Sequence, residues 1–234
     1  MRRSLVVPCY QEEEALKAFR ALVPLLDVEE ILFVDDGSTD GTAGILRSLE
    51  VADERIRILT HDHNRGVGAA MRTGLEASRG EVVVVYDVDR TYPPETIGRL
   101  VEAVEAGADI ATASPFVEGG ELEDVPFHRA VLSRGAAMAY RMAVGASGKQ
   151  IRTYTCAFRA YRRSWISRLA FESDGFAAAA EILGLALQAG AKVVEVPAPL
   201  TARREGESKM HVGRAMRGHV RVIRRLALRR MTGA

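Results

Sequence analysis

One segment constrains the fold of this chain more than any other: residues 81–95, which read E-V-V-V-V-Y-D-V-D-R-T-Y-P-P-E. Its four consecutive valines predict a strand that is buried on both faces, because β-branched side chains suit the pleat and none is polar. Asp87 and Asp89 follow this strand directly. Prolines at positions 93 and 94 prevent the backbone from continuing as a central strand. The segment therefore predicts two carboxylates at the carboxyl end of an inner strand, where open α/β sheets bind ligands.

Asp87 and Asp89 are spaced so that both carboxylates can share one hard divalent cation across a turn. A cation there would neutralise a bound diphosphate, which two bare carboxylates would only repel. The same spacing also occurs by chance, and such residues can merely cap the turn before a helix. Their position directly after a buried strand favours the metal site.

Strand-like and helix-like patterns alternate along the first half of the chain. Apolar runs predict strands at residues 4–7, 31–34, 56–59, the valine run and 109–114, with helical patterns between them. The first helix is predicted to follow the acidic residues 12–14 and to reach Leu26. This alternation predicts an α/β fold with a parallel sheet and right-handed crossovers.

The alternation breaks down after residue 114. Residues 115–127 predict an exposed loop, residues 153–159 a strand, and residues 193–196 a last strand. Helices are predicted at 129–144, 164–169 and 177–189, and a polar loop at 200–211 precedes a basic helix at 212–231. Since no repeat or linker interrupts the chain, we expect one domain at residues 1–208 with a tail at 209–234.

The charges of the chain are unevenly distributed. Its 234 residues carry a formal net charge of +1, but eight of the 32 Lys and Arg lie from Lys209 onward, and all 31 Asp and Glu precede it. The hydrophobic content of 47% is typical of a globular protein, so disordered and fibrous classes are excluded. Cys9 and Cys156 lack metal-ligand spacing, which favours reduced thiols in a cytoplasmic protein. No apolar run approaches the length of a membrane span.

The basic tail allows two interpretations. Apolar residues recur on one helical face between the arginines: Met216, Val220, Ile223, Ala227 and Met231. The tail is either a helix packed on its own domain with a solvated outer face, or an amphipathic helix that lies on an anionic membrane. No aromatic residue interleaves these charges for base stacking, so nucleic-acid binding is not expected.

Several stretches in one order carry a family resemblance: P-C-Y-Q-E-E, V-D-D-G-S-T-D-G-T, N-R-G-V-G-A-A-M-R-T-G, D-V-D-R-T-Y-P-P-E, F-R-A-Y-R-R, G-F-A-A-A-A-E and R-R-E-G-E-S-K. Together they resemble family 2 glycosyltransferases of the GT-A fold, in particular the polyprenyl-phosphate (dolichyl-phosphate) mannose or glucose synthases. The resemblance covers about residues 4–211. It implies a Rossmann-like, mostly parallel mixed sheet flanked by helices, and a nucleotide-diphosphate sugar as donor.

The resemblance also implies roles for particular residues. The expected nucleotide-sugar contacts are Pro8, Tyr10, Glu12, Asp35, Asp36, Arg65, Gly66, Asp87, Asp89, Arg203 and Ser208. Asp87 and Asp89 are expected to hold Mg²⁺ or Mn²⁺ at the diphosphate. The expected catalytic residues are Asp89, Glu181, Arg204 and Lys209. From the residues alone, Asp35 and Asp36 could instead shape a turn, and the basic loop near residue 203 could be an ordinary solvated loop.

The sequence leaves several alternatives for the acceptor. A polyprenyl phosphate is already anionic and requires no strong base, whereas a soluble hydroxyl acceptor requires a carboxylate such as Glu181. Glu181 could instead pair with an arginine such as Arg159. GDP-mannose is expected ahead of UDP-glucose as donor. Thr91, Thr153 and Ala157 depart from the family's pattern, which leaves a nucleotide-sugar-binding protein without turnover as a further alternative.

Overall fold

A computed structural model describes residues 1–203 and 211–232 of the chain. Its strands are β1 (Arg3–Cys9), β2 (Glu30–Asp35), β3 (Ile56–Thr60), β4 (Val82–Val85), β5 (Ile110–Ser114), β6 (Glu121–Glu123), β7 (Arg159–Arg162), β8 (Val193–Pro197) and β9 (Pro199–Thr201). Its α-helices are α1 (Glu13–Phe19), α2 (Thr42–Ala52), α3 (Val67–Ala77), α4 (Thr96–Glu105), α5 (Phe127–Val144), α6 (Arg163–Ile166), α7 (Ala178–Gln188) and α8 (Val212–Thr232).

Seven strands form one mixed sheet in the order β3-β2-β1-β4-β7-β5-β8. Every neighbouring pair is parallel except the two pairs made by β7, which runs antiparallel between β4 and β5. The predicted α/β fold with a mostly parallel sheet is therefore confirmed.

The valine strand β4 lies in the middle of the sheet and is buried on both faces, as predicted. Val83 and Val85 belong to one apolar cluster, whereas Val82 and Val84 belong to another. All four side chains are fully buried. Since successive side chains of a strand point to opposite faces, the helices cover both sides of the sheet.

The topology brings several loops to one edge of the sheet. The parallel strands β1, β2 and β4 end there, so the segments that follow them lie side by side. Because β7 is antiparallel, its beginning reaches the same edge, and residues 156–157 arrive there as well. This edge holds the candidate site.

Three predicted elements differ from the structure. The first helix ends at Phe19 instead of Leu26, because Pro24, which has no backbone N–H to donate, lies in a separate 3₁₀ turn at Val23–Leu25. Residues 153–158 do not form a strand, since β7 begins only at Arg159. The predicted loop at 115–127 contains β6, which pairs with β9.

Helix α8 packs against α5 and α7. Val222 and Leu226 are buried, and a Cβ at Gly184 of α7 would collide with the Leu226 side chain. Tyr140 of α5 and His219 share a hydrogen bond of 2.8 Å between the hydroxyl and Nδ1. The predicted division at residue 208 falls outside the described residues and stays a prediction. In the described part of the chain, no helix is both long and apolar enough to cross a membrane.

Candidate functional site

A cleft of about 1070 Å³ opens at the carboxyl edge of the sheet. The segments that follow β1, β3 and β4 line it. Residues 172–177 and helix α8 line it as well. The predicted residues that line it are Pro8, Tyr10, Glu12, Asp36, Arg65, Gly66, Asp87, Asp89 and Arg203.

The turn after β4 presents the two aspartates to this cleft. The buried Tyr86 hydroxyl donates a hydrogen bond of 2.6 Å to the carbonyl oxygen of Tyr92, which closes the turn. Within it, the Thr91 N–H donates to Asp89 Oδ1 at 3.2 Å. The orientation of the Asp89 carboxylate is thus fixed by its own turn.

Arg203 is the cation at the acidic end of the cleft. Its Nη2 donates to Glu12 Oε2, and its Nη1 lies 3.9 Å from Asp89 Oδ2. Burial raises the pKa of Asp87, repulsion by Asp89 and Glu12 raises it further, and Arg203 only partly offsets this. Among the described residues that line the cleft, Glu12, Asp87 and Asp89 thus act on one another with Arg203 beside them.

Strand β9 places Arg203. The Thr201 N–H donates to the carbonyl oxygen of Thr91 at 2.9 Å, which joins β9 to the aspartate turn. Ala202 N–H donates to the carbonyl oxygen of Glu123 at 3.2 Å, in β6. The segment that leads to Arg203 is therefore joined both to the aspartate turn and to β6, through a strand pair that the sequence did not predict.

The acidic end has the donor chemistry of a hard divalent cation. Carboxylate oxygens are what Mg²⁺ prefers, and in phosphate-binding sites one or two carboxylates commonly hold it together with the phosphates. Among residues 1–203 and 211–232, no group of three His, Cys, Asp or Glu side chains meets the requirements of a metal cage. The carboxylates of Asp87 and Asp89 fit such a cation.

Asp36 holds the cleft segment that follows β3. Its Oδ1 accepts from the Arg65 N–H at 2.9 Å, and its Oδ2 from the Gly66 N–H at 2.7 Å. His61 Nδ1 lies 2.6 Å from the same Oδ1. The buried carboxylate thereby holds the segment that carries Arg65, at a point where Gly66 has a φ of +102° that favours glycine.

Asp35 lies behind the cleft. It is buried, and its Oδ1 accepts a hydrogen bond of 3.0 Å from the Ser38 N–H. The Ser38 hydroxyl in turn accepts from the Gln11 N–H at 3.0 Å, beside Tyr10 and Glu12. The structure thus brings Asp36, but not Asp35, to the cleft surface.

Glu181 is not brought to the cleft surface. It is fully buried in α7, and its Oε2 accepts a hydrogen bond of 2.9 Å from the Ser173 N–H. Its Oε1 accepts from the Glu172 N–H and from Arg225 of α8. Arg159, the partner suggested by the sequence, instead donates to Thr112 and to the carbonyl oxygens of Tyr154 and Ala179. Arg204, Ser208 and Lys209 lie outside the described residues.

Helix α8 supplies cleft residues that the sequence reasoning missed. Arg214, Arg217 and Arg221 all line the cleft, together with His211 at the start of the helix. The arginines are spaced three and four residues apart, so they lie on one helical face. That spacing is the available signal, whereas the apolar pattern of the tail predicts only a membrane or packing role.

The comparisons with known proteins agree on one family. Residues 4–170 match the model of glycosyl transferase family 2. The chain is 36% identical over 217 residues to a polyprenol monophosphomannose synthase of Mycolicibacterium smegmatis, covering 89% of this chain and 81% of that protein. It is 33% identical over 229 residues to a dolichol-phosphate mannosyltransferase of Pyrococcus furiosus, covering 97% of this chain and 64% of that protein.

Solved structures share the fold. Glucosyl-3-phosphoglycerate synthase from Mycobacterium tuberculosis, in complex with UDP, superposes with a TM-score of 0.70 at 20% identity. The alignment covers 97% of this chain and 80% of that one. The same synthase in complex with Mn²⁺, UDP and glucosyl-3-phosphoglycerate gives a TM-score of 0.67 at 19% identity, covering 95% and 77%.

Proposed function

The chain belongs to glycosyltransferase family 2 and has the GT-A fold, and from this premise we propose that it is an inverting, metal-dependent hexosyltransferase. The proposed donor is a nucleotide-diphosphate sugar, with GDP-mannose ahead of UDP-glucose. The proposed acceptor is a polyprenyl phosphate. The names of two relatives, a polyprenol monophosphomannose synthase and a dolichol-phosphate mannosyltransferase, support mannose as the sugar and a polyprenyl phosphate as the acceptor.

One observation carries this proposal: both aspartates and arginines line the cleft. Asp87 and Asp89 lie where a cation and a diphosphate can share charge. Three arginines of α8, at positions 214, 217 and 221, line the same cleft, beyond the pair formed by Arg203 and Glu12. A second anion, in addition to the donor diphosphate, explains these three arginines, and a lipid phosphate is such an anion.

The donor half of the reaction is a displacement at the anomeric carbon. An oxygen of the acceptor phosphate attacks this carbon from the side opposite the diphosphate, the bond to the diphosphate oxygen breaks, and the nucleoside diphosphate leaves with the electron pair. A Mg²⁺ or Mn²⁺ held by Asp87 and Asp89 would stabilise the charge on that leaving group. Arg203 and Arg65, which border the same cleft, would place positive charge where the negative charge of the leaving group develops.

The acceptor half needs no proton transfer if the acceptor is a phosphate, since that oxygen is already ionised at neutral pH. A hydroxyl acceptor would require a base. Glu181 was the predicted base, but both its oxygens accept hydrogen bonds and its side chain is fully buried. This arrangement favours the phosphate acceptor over the soluble hydroxyl.

The outer surface supports attachment to a membrane. Helices α5 and α8 pack together, and each exposes large apolar side chains. Those of α5 are Phe127, Val131, Leu132, Met138 and Met142, and those of α8 are Val212, Met216, Val220, Leu228 and Met231. With the arginines of α8 beside them, these residues suit the interface of an anionic bilayer. We propose a peripheral position there, which would bring the cleft to a lipid acceptor.

A transfer assay tests the proposed reaction. GDP-mannose and UDP-glucose, each labelled in the sugar, are incubated with Mn²⁺ and polyprenyl phosphate in detergent, and the label entering the organic phase is counted. Label transferred from GDP-mannose supports the proposal. A parallel reaction contains a soluble hydroxyl acceptor instead, and transfer in that reaction alone would overturn the lipid phosphate. Nucleotide binding without transfer in either reaction would favour the non-catalytic alternative.

A liposome assay tests the attachment separately. We expect the protein to sediment with anionic vesicles, and the double variant Met216→Glu, Val220→Glu to lose this binding. Val51→Glu is the matched control, because Val51 is also exposed but lies at the end of α2. Absence of sedimentation at low salt, or equal loss in the control, would contradict a membrane role of α8.

A further inference from the structure

The segment at residues 171–177, here called the Ser173 loop, connects α6 to α7 and forms part of the cleft. Its contacts reach in two directions. One set holds α3 and the segment that carries Arg65, and the other set holds α7 and α8. The loop therefore lies between the predicted donor site and the last helix.

Toward α3, the loop supplies an acceptor to the first turn of the helix. The carbonyl oxygen of Asp174 accepts from the N–H groups of Gly68 at 2.7 Å and Ala69 at 3.3 Å. Arg72 Nη1 also binds Asp174 Oδ1 at 2.9 Å. A Cβ at Gly66 would collide with the Asp174 carbonyl oxygen, so the loop packs directly on the residue after Arg65.

Toward α8, the loop is held by an ion pair between the fully buried Glu181 and the half-buried Arg225. Glu181 accepts from the Glu172 and Ser173 N–H groups and from Arg225 Nη1, and it is fully buried. Arg225 Nη2 also lies 2.6 Å from the exposed Glu172 Oε2. Without Arg225, the buried Glu181 carboxylate would keep only the two backbone N–H donors and would lose its cation, which is costly for a buried charge.

We propose that Glu181 and Arg225 are positioning residues that hold the Ser173 loop, and through it Arg65, in the arrangement that binds the donor nucleotide. Neither side chain lines the cleft. The role in donor binding rests on the proposed function, but the mechanical link from α8 to residues 66–69 does not. The conformation of α8 and the affinity of the donor site are consequently coupled.

Hydrogen exchange tests the link without any ligand. In Arg225→Met, we expect the amides of Glu172 and Ser173, and also those of residues 68–69, to exchange about tenfold faster. Arg224→Met is the matched control, since it removes the same charge from an exposed position of the same helix. Arg225→Lys keeps the charge and should restore part of the protection. Faster exchange confined to residues 172–173 would overturn the link.

Nucleotide binding tests the consequence. By calorimetry with Mn²⁺ and GDP, or UDP if only UDP binds, Arg225→Met should bind about tenfold more weakly and Arg224→Met like the unaltered protein. Equal affinity of all three would overturn the positioning role. If the unaltered protein binds neither nucleotide, the proposed function fails while the exchange experiment still decides the link. If Arg225→Met does not fold, Glu181→Gln serves instead, because its side-chain oxygen still accepts from Ser173.

Discussion

The guanidinium of Arg203 lies 3.9 Å from the carboxylate of Asp89, the residue predicted to hold a metal. The same guanidinium binds Glu12, so one arginine connects two carboxylates at the acidic end of the cleft. A bound diphosphate would present an anion to the arginine, and a bound cation would take over the carboxylate. Binding of the donor and its metal would therefore separate the charges of Arg203 and Asp89, which lie 3.9 Å apart.

Asp89→Asn should abolish most of the transfer activity while the protein stays folded. The amide keeps the shape and the hydrogen bond to Thr91, but it removes the charge that binds a cation. We expect turnover to fall by about 100-fold or more. Initial rates and a thermal melt measure the two effects. Glu95→Gln, an exposed carboxylate before α4, is the control, and an equal fall there would remove Asp89 from the metal site.

Arg203→Met should make the folded protein dependent on metal. Without the guanidinium, Glu12, Asp87 and Asp89 repel one another, and we expect the metal-free protein to lose about 1 to 2 kcal/mol of unfolding free energy. Mn²⁺ should recover part of this loss, since it supplies the missing positive charge.

Urea unfolding of Arg203→Met with Mn²⁺ and with EDTA measures this dependence. Arg47→Met, at an exposed position of α2, is the control and should show no metal effect beyond that of the unaltered protein. If Mn²⁺ shifts both variants equally, the cation does not bind beside Arg203.

Removal of the metal should abolish stabilisation by the nucleotide. A ligand at about 100 times its dissociation constant adds roughly 2.7 kcal/mol to the unfolding free energy, which corresponds to about 5 to 10 °C in Tm for a chain of this size. We expect GDP or GDP-mannose with Mn²⁺ to give such a shift, and EDTA to remove most of it. A shift of the same size in EDTA would mean that the nucleotide binds without a metal at Asp87 and Asp89.

The stability of the protein should depend on pH through Glu30. This buried carboxylate accepts from the Ser4 hydroxyl at 2.5 Å, the Arg79 N–H at 2.8 Å and Arg57 at 2.7 Å. Burial alone would raise the pKa of Glu30, but these donors outweigh it and lower the pKa below its ordinary value of 4.5. The stabilisation is therefore complete above the ordinary pKa and is lost as the pH falls through the lower, folded value.

Glu30→Gln tests this linkage by urea unfolding at pH 7 and at pH 3. We expect the variant to lose about 1 to 3 kcal/mol at pH 7, because an amide cannot accept from all three donors. Its stability should also decline less steeply toward acid than that of the unaltered protein. Glu54→Gln, at an exposed position, should leave both the stability and the slope unchanged.

Local sequence was sufficient for the centre of this fold. A run of four valines requires burial on both faces, which predicts the inner strand Val82–Val85. The carboxylates that follow it must then lie at the edge of the sheet, which is where Asp87 and Asp89 line the cleft. Parallel order also brings the ends of β1, β2 and β4 together.

Pairing between residues far apart in the chain could not be predicted from the sequence. Nothing near residues 153–158 indicates that the next strand enters the sheet antiparallel between β4 and β5, which makes these residues a cleft segment. Likewise, Arg225 meets Glu181 from 44 positions away, and only the packing of α8 on α7 selects it over Arg159. The motifs thus indicated the residues that follow β1 and β4 in the cleft, whereas the contribution of α8 required the tertiary structure.

The arginines of α8 should serve the acceptor more than the donor. Arg217 and Arg221 line the cleft on the helix that carries the exposed apolar residues, whereas Arg203 lies at the aspartates. We expect the double variant Arg217→Gln, Arg221→Gln to raise KM for polyprenyl phosphate about tenfold, because charge-assisted contacts to phosphate are lost. The KM for GDP-mannose should change by less than about twofold.

Initial rates with each substrate varied in turn separate these two effects. Arg224→Gln, which removes an exposed charge from the same helix but does not line the cleft, controls for a general loss of positive charge. Added salt should weaken acceptor binding by the unaltered protein more than by the double variant, since screening acts on the charges that the variant lacks. A rise in the donor KM of the same size would instead assign these arginines to the diphosphate, and the acceptor phosphate would need another site in the cleft.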